Sequence, residues 1–361
     1  MSPHDVVALA VALSRRADDG GDALAPFARL LGEHERARVR SVVQRIRDGK
    51  RVSVVACVPN VSPPDADELV LADPPPSEEG GGVSAPQRPF SASALNAYAE
   101  CERKWFYRYV CNAVEDPGSV AATYGTAVHL ALQRLHERYD HPSEVAESEL
   151  REALDREIVA AFESMRGDFP TAVEYDLHLR RARRTAERYV EWLVAEARRS
   201  PFTVIACEAQ AQLELDGHRF IGYIDRIDRD DASGVLRVVD YKTGTIAADF
   251  AEYRDKVRAF REFQLPFYYW SQVAAGHEVG TLVLLPLKDP ARPIRPVVVP
   301  VAQFRPELEA SRRRMDALCT EIESGAKTFF EPAQDPSACA FCSYVRACTR
   351  RPADEPEKFG R

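Results

Sequence analysis

The spacing of apolar positions changes along the chain, and each change marks an element. Between residues 23 and 47, Leu24, Phe27, Leu30, Leu31, Val39, Val42, Val43 and Ile46 recur near helical spacing. Residues 51–58 then form a β-branched, strand-like run. Ser91 and Ser93 are candidate N-caps for a helix whose stripe carries Leu95, Tyr98, Trp105, Phe106 and Tyr109. Another helix opens near Gly125, which would let a second backbone approach its start, and runs through Leu130, Leu132 and Leu135. Residues 143–200 predict two long helices, and residues 202–215 alternate as a strand. Phe220, Tyr223 and Ile227 precede the turn formers Asp230–Gly234, and Val235, Val238 and Val239 follow them. This pattern predicts a β-hairpin. A helix over 249–274 with a kink at Pro266, strands over 278–287 and 294–301, and a helix over 306–325 complete the chain. Strands interleaved with helices predict an α/β sheet with helices on its faces.

Composition narrows the class. The chain has 361 residues, 45% apolar and 29% charged, as a globular protein has. No long uncharged apolar run is present, so no membrane span is expected. The early Asp5 argues against a signal peptide, so a cytoplasmic location is expected. Residues 59–89 are rich in Pro, Gly and acids and read as a linker. The expected divisions are therefore an accessory segment of residues 1–58, the linker 59–89, a main domain of residues 90–350, and a tail of residues 351–361. The net charge of −8 does not advertise a nucleic-acid binder, so any basic footprint must be local.

The hairpin carries the chemistry. Asp225 lies in one arm and Asp240 near the end of the other, so antiparallel pairing can bring the carboxylates together. Lys242 stands two residues beyond Asp240 and shares its strand face. Two acids and a lysine on one face can hold a divalent metal beside a scissile phosphate. The acids supply hard oxygen ligands, and the lysine stabilises charge or orients water. His129 follows Gly125 by one helical turn. By itself it reads as an ordinary packed histidine, and it gains a role only if its helix packs beside the acidic hairpin. Arg180, Arg184 and Arg188 share one face of the second long helix, which reads either as a solvated face or as a strip that follows phosphates.

Cys339, Cys342 and Cys348 are spaced for a metal or cluster site rather than for a secreted disulfide scaffold. A fourth ligand is needed from Cys57, Cys101, Cys111, Cys207 or Cys319. Four thiolates suit zinc or an iron–sulfur cluster, and spacing does not choose between them.

Taken in order, these motifs resemble the RecB/AddB-type nucleases of the PD-(D/E)XK superfamily, iron–sulfur subgroup. The matching residues are Ser93-Ala-Leu95 with Tyr98 and Cys101, then Gly125 to His129, then Gly222-Tyr-Ile-Asp225. Asp240-Tyr-Lys242, Gln264 to Tyr268 and the C-terminal cysteines follow. The resemblance spans residues 90–350. It implies a restriction-endonuclease-like core, a central mixed sheet flanked by helices, with a helical insertion and an N-terminal accessory segment. It implies that His129, Asp225, Asp240 and the carbonyl of Tyr241 bind Mg²⁺ or Mn²⁺, and that Lys242 is the catalytic lysine. Gln264 and Tyr268 would support the site and position the strand. Glu208 has an undefined part, and Asp228 ranks below Asp225. Cys101, Cys339, Cys342 and Cys348 would hold a 4Fe–4S cluster, with zinc as the alternative. The implied activity is cleavage of DNA ends or single strands in repair, recombination or phage defence. No Walker-type motif is present, so a separate helicase would unwind the substrate. The competing readings are a spacer-trimming nuclease of CRISPR adaptation and a non-catalytic DNA-binding subunit.

Overall fold

The computed structural model describes residues 40, 89–111, 113, 120–288, 291–325, 327, 330–340, 342–345 and 348. Apart from Arg40 and Pro89, the accessory segment, the linker and the tail lie outside the described residues. The described residues fall into two compact units. One comprises Gln87–Glu100 and Glu115–Thr320, and the other draws on Cys101–Val114 and Glu321–Arg361.

The larger unit begins with α1 (Ala92–Glu100), capped by the Ser91 hydroxyl, which accepts from the Ala94 amide at 3.2 Å. Three long helices follow: α3 (Val120–Arg138), α4 (Glu147–Ser164) and α5 (Ala172–Arg199). Thr171 caps α5 by accepting from the Glu174 amide. The two helices expected between 143 and 200 are thus α4 and α5.

The sheet has the order β1-β2-β3-β4-β5. Its strands are β1 (Phe202–Leu215), β2 (His218–Asp230), β3 (Leu236–Lys242), β4 (Val279–Pro286) and β5 (Val297–Pro300). Only β3 and β4 run parallel, and every other pair is antiparallel. The expected hairpin is β2–β3, with Arg226 opposite Val239 and Ile227 opposite Val238. Phe220 and Ile227 are buried as their apolar character requires, but Tyr223 is 56% exposed.

Alternation along β3 and β4 divides the core. Val239, Tyr241, Val283 and Leu285 join the buried cluster formed with α3, α4 and α5. The intervening Val238, Leu282 and Leu284 are buried outside that cluster. The crossover between the parallel strands carries α6 (Phe250–Arg258) and α7 (Gln264–Ala274). This is the mixed sheet flanked by helices that the sequence predicts.

Two helices differ from expectation. The single helix over 249–274 is instead two, broken at 259–263, where Phe260 takes a positive φ of 54° and Asn96 Oδ1 accepts from the Phe263 amide at 2.9 Å. Pro266 does not kink the chain. It sits in the first turn of α7, where its missing donor would have no helical partner. The last long helix, α8 (Val301–Glu323), starts before Pro306. Val301 and Phe304 are buried with Leu308, and that packing outweighs the one hydrogen bond that Pro306 omits.

In the smaller unit, α2 (Glu102–Trp105) runs into a π-helical turn, Phe106–Val110. The aromatic stripe seen in the sequence therefore breaks at Cys101. Trp105 and Phe106 pack against Phe330, and Arg103 Nε donates to the Phe330 carbonyl at 3.0 Å. Among the described residues no helix is long and apolar enough to cross a membrane.

Candidate active site and cysteine cluster

β2 and β3 bring the hairpin acids together as their pairing demands. Asp225 Oδ2 accepts from the Tyr241 amide at 2.6 Å, which locks its carboxylate against β3. α3 packs beside the hairpin and brings His129 to its acids. Its Nδ1 lies 3.4 Å from Asp225 Oδ1 and 3.8 Å from Glu208 Oε1, and its ring meets Tyr241 edge to face. Gly125 lies inside α3, not at its start, and a Cβ there would come within 3.0 Å of Thr243 Oγ1. The close neighbour is a side chain of the segment after Lys242 rather than another backbone.

His129, Glu208 and Asp225 form the only group of His, Cys, Asp and Glu among the described residues whose ligand atoms all fall within 4.8 Å. Glu208 is the residue that sequence reasoning left without a part. Its signal is conformational: it holds φ at +46° within β1, a left-handed backbone that a non-glycine residue adopts only under constraint.

Asp240 stands outside that trio. It is 1% exposed, and its Oδ2 lies 2.7 Å from Lys242 Nζ. Its Oδ1 is buried and has no hydrogen-bond partner among the described residues. Burial pushes the Asp240 carboxyl up to about 7 against the opposing charge of Lys242, and Asp225 adds to the rise. Burial also works against the charge of His129. The carboxylates of Asp225 and Glu208, then the charge of Asp240, outweigh it and push the imidazole up to about 10. Lys242 follows the same logic: burial disfavours its charge, but Asp240 more than compensates and raises it. The site thus holds crowded acids that share a proton-bearing histidine and a lysine. A divalent cation fits this donor set, since it would replace the proton on His129 and give the buried Oδ1 of Asp240 a partner.

Lys242 is aimed from the other side by α7. Its Nζ donates to Gln264 Oε1 at 2.7 Å, and Gln264 Nε2 donates to the Tyr268 hydroxyl at 2.8 Å. The Tyr268 hydroxyl donates in turn to the Tyr223 carbonyl. Gln264 and Tyr268 thus form a hydrogen-bonded relay from Lys242 back to β2.

Asp228 lies elsewhere. It is fully buried between Arg226 Nε at 2.8 Å and Arg237 at 2.8 Å, and Arg237 also reaches Glu196. Arg226 is likewise fully buried, and its Nη1 contacts His136, Tyr189 and Tyr241. Asp228 is the counter-ion of that arginine. Of the arginine strip, Arg180 and Arg184 are exposed, whereas Arg188 pairs with Glu191 at 2.9 Å. Arg181, outside the expected strip, covers the Tyr124 ring and donates to the Lys288 carbonyl.

In the smaller unit, Cys101, Cys339, Cys342 and Cys348 line one cavity. Cys101 caps α2, its Sγ accepting from the Lys104 amide at 3.4 Å. Burial pushes the Cys342 thiol up, with Cys101 and Cys339 adding to the rise and Lys104 opposing it. Cys111, Cys207 and Cys319 do not line this cavity, and Cys57 lies outside the described residues.

The sequence profile of the PD-(D/E)XK nuclease superfamily matches residues 89–349. The chain belongs to that superfamily. This nuclease is also similar to a solved structure from Eubacterium rectale that carries the name of an exonuclease. The two are 15% identical with a TM-score of 0.42, over 74% of this chain and 90% of that one. Among curated proteins none matches it in sequence. PD-(D/E)XK nucleases use divalent metals, and in this nuclease the acidic group on β1, β2 and α3 has the composition for one.

Proposed function

We propose that this nuclease is a Mg²⁺- or Mn²⁺-dependent deoxyribonuclease of the RecB/AddB type, acting on DNA ends or single strands. The observation that carries the reading is the His129–Glu208–Asp225 trio, with Asp240 buried next to it and paired to Lys242. Three crowded carboxylates beside one lysine leave negative charge that a divalent cation would offset. His129, Asp225, Asp240, the carbonyl of Tyr241 and Glu208 would hold the cation. When bound, the cation supplies Lewis acidity to the scissile phosphate and lowers the cost of a hydroxide nucleophile.

The chain's own groups do the rest. Lys242, kept cationic by Asp240 and aimed by Gln264, donates a hydrogen bond to a phosphate oxygen or to the attacking water. Burial of Asp240 keeps water from screening that interaction. Tyr268 holds β2 in place through the Tyr223 carbonyl, so the acids keep their spacing. Arg180 and Arg184 would follow phosphates. The four cysteines would hold a 4Fe–4S cluster, with zinc as the alternative, and their shared cavity supports a common site. Unwinding would come from a separate helicase, and the cellular setting would be repair, recombination or phage defence.

Digestion of end-labelled linear and closed circular DNA with Mg²⁺ or Mn²⁺ tests the activity. The expected result is cation-dependent loss of the linear substrate, abolished in Asp240→Ala. Cleavage by Asp240→Ala at the wild-type rate would refute the assignment.

A further inference from the structure

Beyond the metal site, β1 and β2 continue together as a long two-stranded ribbon. Gln210 pairs with Tyr223, Gln212 with Ile221, and Glu214 with Arg219. Directly paired residues share a face. Here the burial alternates cleanly: Gln210, Gln212 and Glu214 are exposed, while Ala211, Leu213 and Leu215 are buried. One ribbon face therefore carries Gln210, Gln212, Tyr223 and Ile221. It begins two residues from Glu208 on β1 and two from Asp225 on β2, which is about 7 Å along a strand. At the ribbon's far end a groove of about 410 Å³ lies between β1, β2 and α7, lined by Leu213 and Phe220 of the buried face as well as by Gln212 and Ile221.

Tyr223 is the unusual member. It is 56% exposed, and among the described residues no ring or cation packs against it. Its backbone, by contrast, is held firmly. The Tyr268 hydroxyl donates to its carbonyl, and Gly222 lets the Phe267 ring approach so closely that a Cβ would meet it at 2.7 Å. A fixed main chain with a bare aromatic side chain is pre-organised to stack. The strip is also nearly neutral, because the one arginine at its end, Arg219, stands opposite Glu214. A face that followed phosphates would be basic. Amides and an aromatic ring instead match the edges and faces of bases, which only an unpaired strand presents.

We infer that the Gln210–Gln212–Tyr223–Ile221 strip seats the unstacked bases of single-stranded DNA, with Tyr223 as the stacking platform beside the cleavage site. The inference rests on the nuclease reading for its occupant and adds the feature that selects single strands over duplex.

The test measures anisotropy of a fluorescein-labelled oligothymidylate and of a labelled duplex on the full chain in chelator, so that cleavage plays no part. Tyr223→Ala should weaken single-strand binding by about tenfold, the scale of losing one base–aromatic stack, and leave duplex binding unchanged. Tyr223→Phe should bind as wild type, which separates stacking from any folding defect. A fully abasic oligonucleotide should bind wild type at least about tenfold more weakly, and Tyr223→Ala should weaken its binding no further. Equal weakening of single strand and duplex, or wild-type binding by Tyr223→Ala, overturns the seat. Failure of the nuclease reading has a different signature: no DNA is cut with Mg²⁺ or Mn²⁺, whatever the binding shows.

Discussion

Asp240 and Lys242 each favour the other's charged form while burial opposes both charges, and that balance makes their loss informative. Asp240→Ala or Lys242→Ala is expected to lower the cleavage rate by orders of magnitude, because several kcal/mol of barrier reduction go with them. Binding of labelled DNA, measured by anisotropy, should change little. Glu208 offers a separate check. Its left-handed backbone costs on the order of 1 kcal/mol, which glycine would not incur. Glu208→Gly should therefore match or exceed wild type in melting temperature in chelator, yet bind Mn²⁺ more weakly by calorimetry. Unchanged Mn²⁺ affinity would remove Glu208 from the ligand set. Further from the site, His136 is buried against Arg226, and burial, then the Arg226 charge, holds its imidazole well below the usual range. The native state keeps it neutral, whereas the unfolded chain takes up a proton below about pH 6.5. Its contribution is thus complete above that pH and is lost as pH falls. The urea-unfolding difference between wild type and His136→Gln should shift by up to about 1.4 kcal/mol per pH unit as pH falls below about 6.5, at the expense of wild type.

At the level of elements, β2 depends on a glycine for its fit. Its close packing on α7 at Gly222 leaves no space for a methyl group without moving the Phe267 ring. Gly222→Ala should cost about 1–3 kcal/mol in denaturant unfolding, the usual penalty for overpacking a core. It should also reduce activity, since Asp225 follows on the same strand. The arginine face of α5 divides by partner rather than by spacing. Arg180 and Arg184 are exposed, but the Glu191 carboxylate already occupies Arg188. Arg180→Ala with Arg184→Ala should reduce the log–log salt slope of DNA binding by roughly two, and Arg188→Ala should leave it nearly unchanged. A slope unmoved by the double substitution would make this face an ordinary solvated one.

Across the whole chain, Cys101 lies far in sequence from Cys339, Cys342 and Cys348, yet the four line one cavity. A cluster that joined them would close a very long loop, and a clasp of that kind should add several kcal/mol of stability. Cys101→Ser is expected to lose iron, sulfide and brown colour on anaerobic purification and to become unstable or insoluble, whereas Cys111→Ser should do neither. Near-stoichiometric zinc without sulfide would exclude the cluster. Iron and sulfide retained in Cys101→Ser would mean that another ligand completes it.

Much of this is legible in the sequence itself. The turn run Asp230–Gly234 between two apolar arms specified the hairpin, since the period-two pattern and the turn chemistry are both local. The hairpin in turn brought Asp225 and Asp240 into reach of each other, and the two-residue step placed Lys242 beside Asp240. The order of strands and helices set the fold class for the same reason. What remained depended on long-range packing, on which a local pattern is silent. His129 meets Asp225 only because α3 packs beside the hairpin, and Glu208, in its left-handed conformation, lies 3.8 Å from the same histidine. Asp228, close to Asp225 in sequence, was drawn away by the buried Arg226. Tyr223 looked like a core residue from its place in the alternation, and the structure left it in solvent. Sequence alone set the local conformations and the cast of chemical groups. Tertiary structure decided which of them meet, because burial and partner choice are properties of the packed chain.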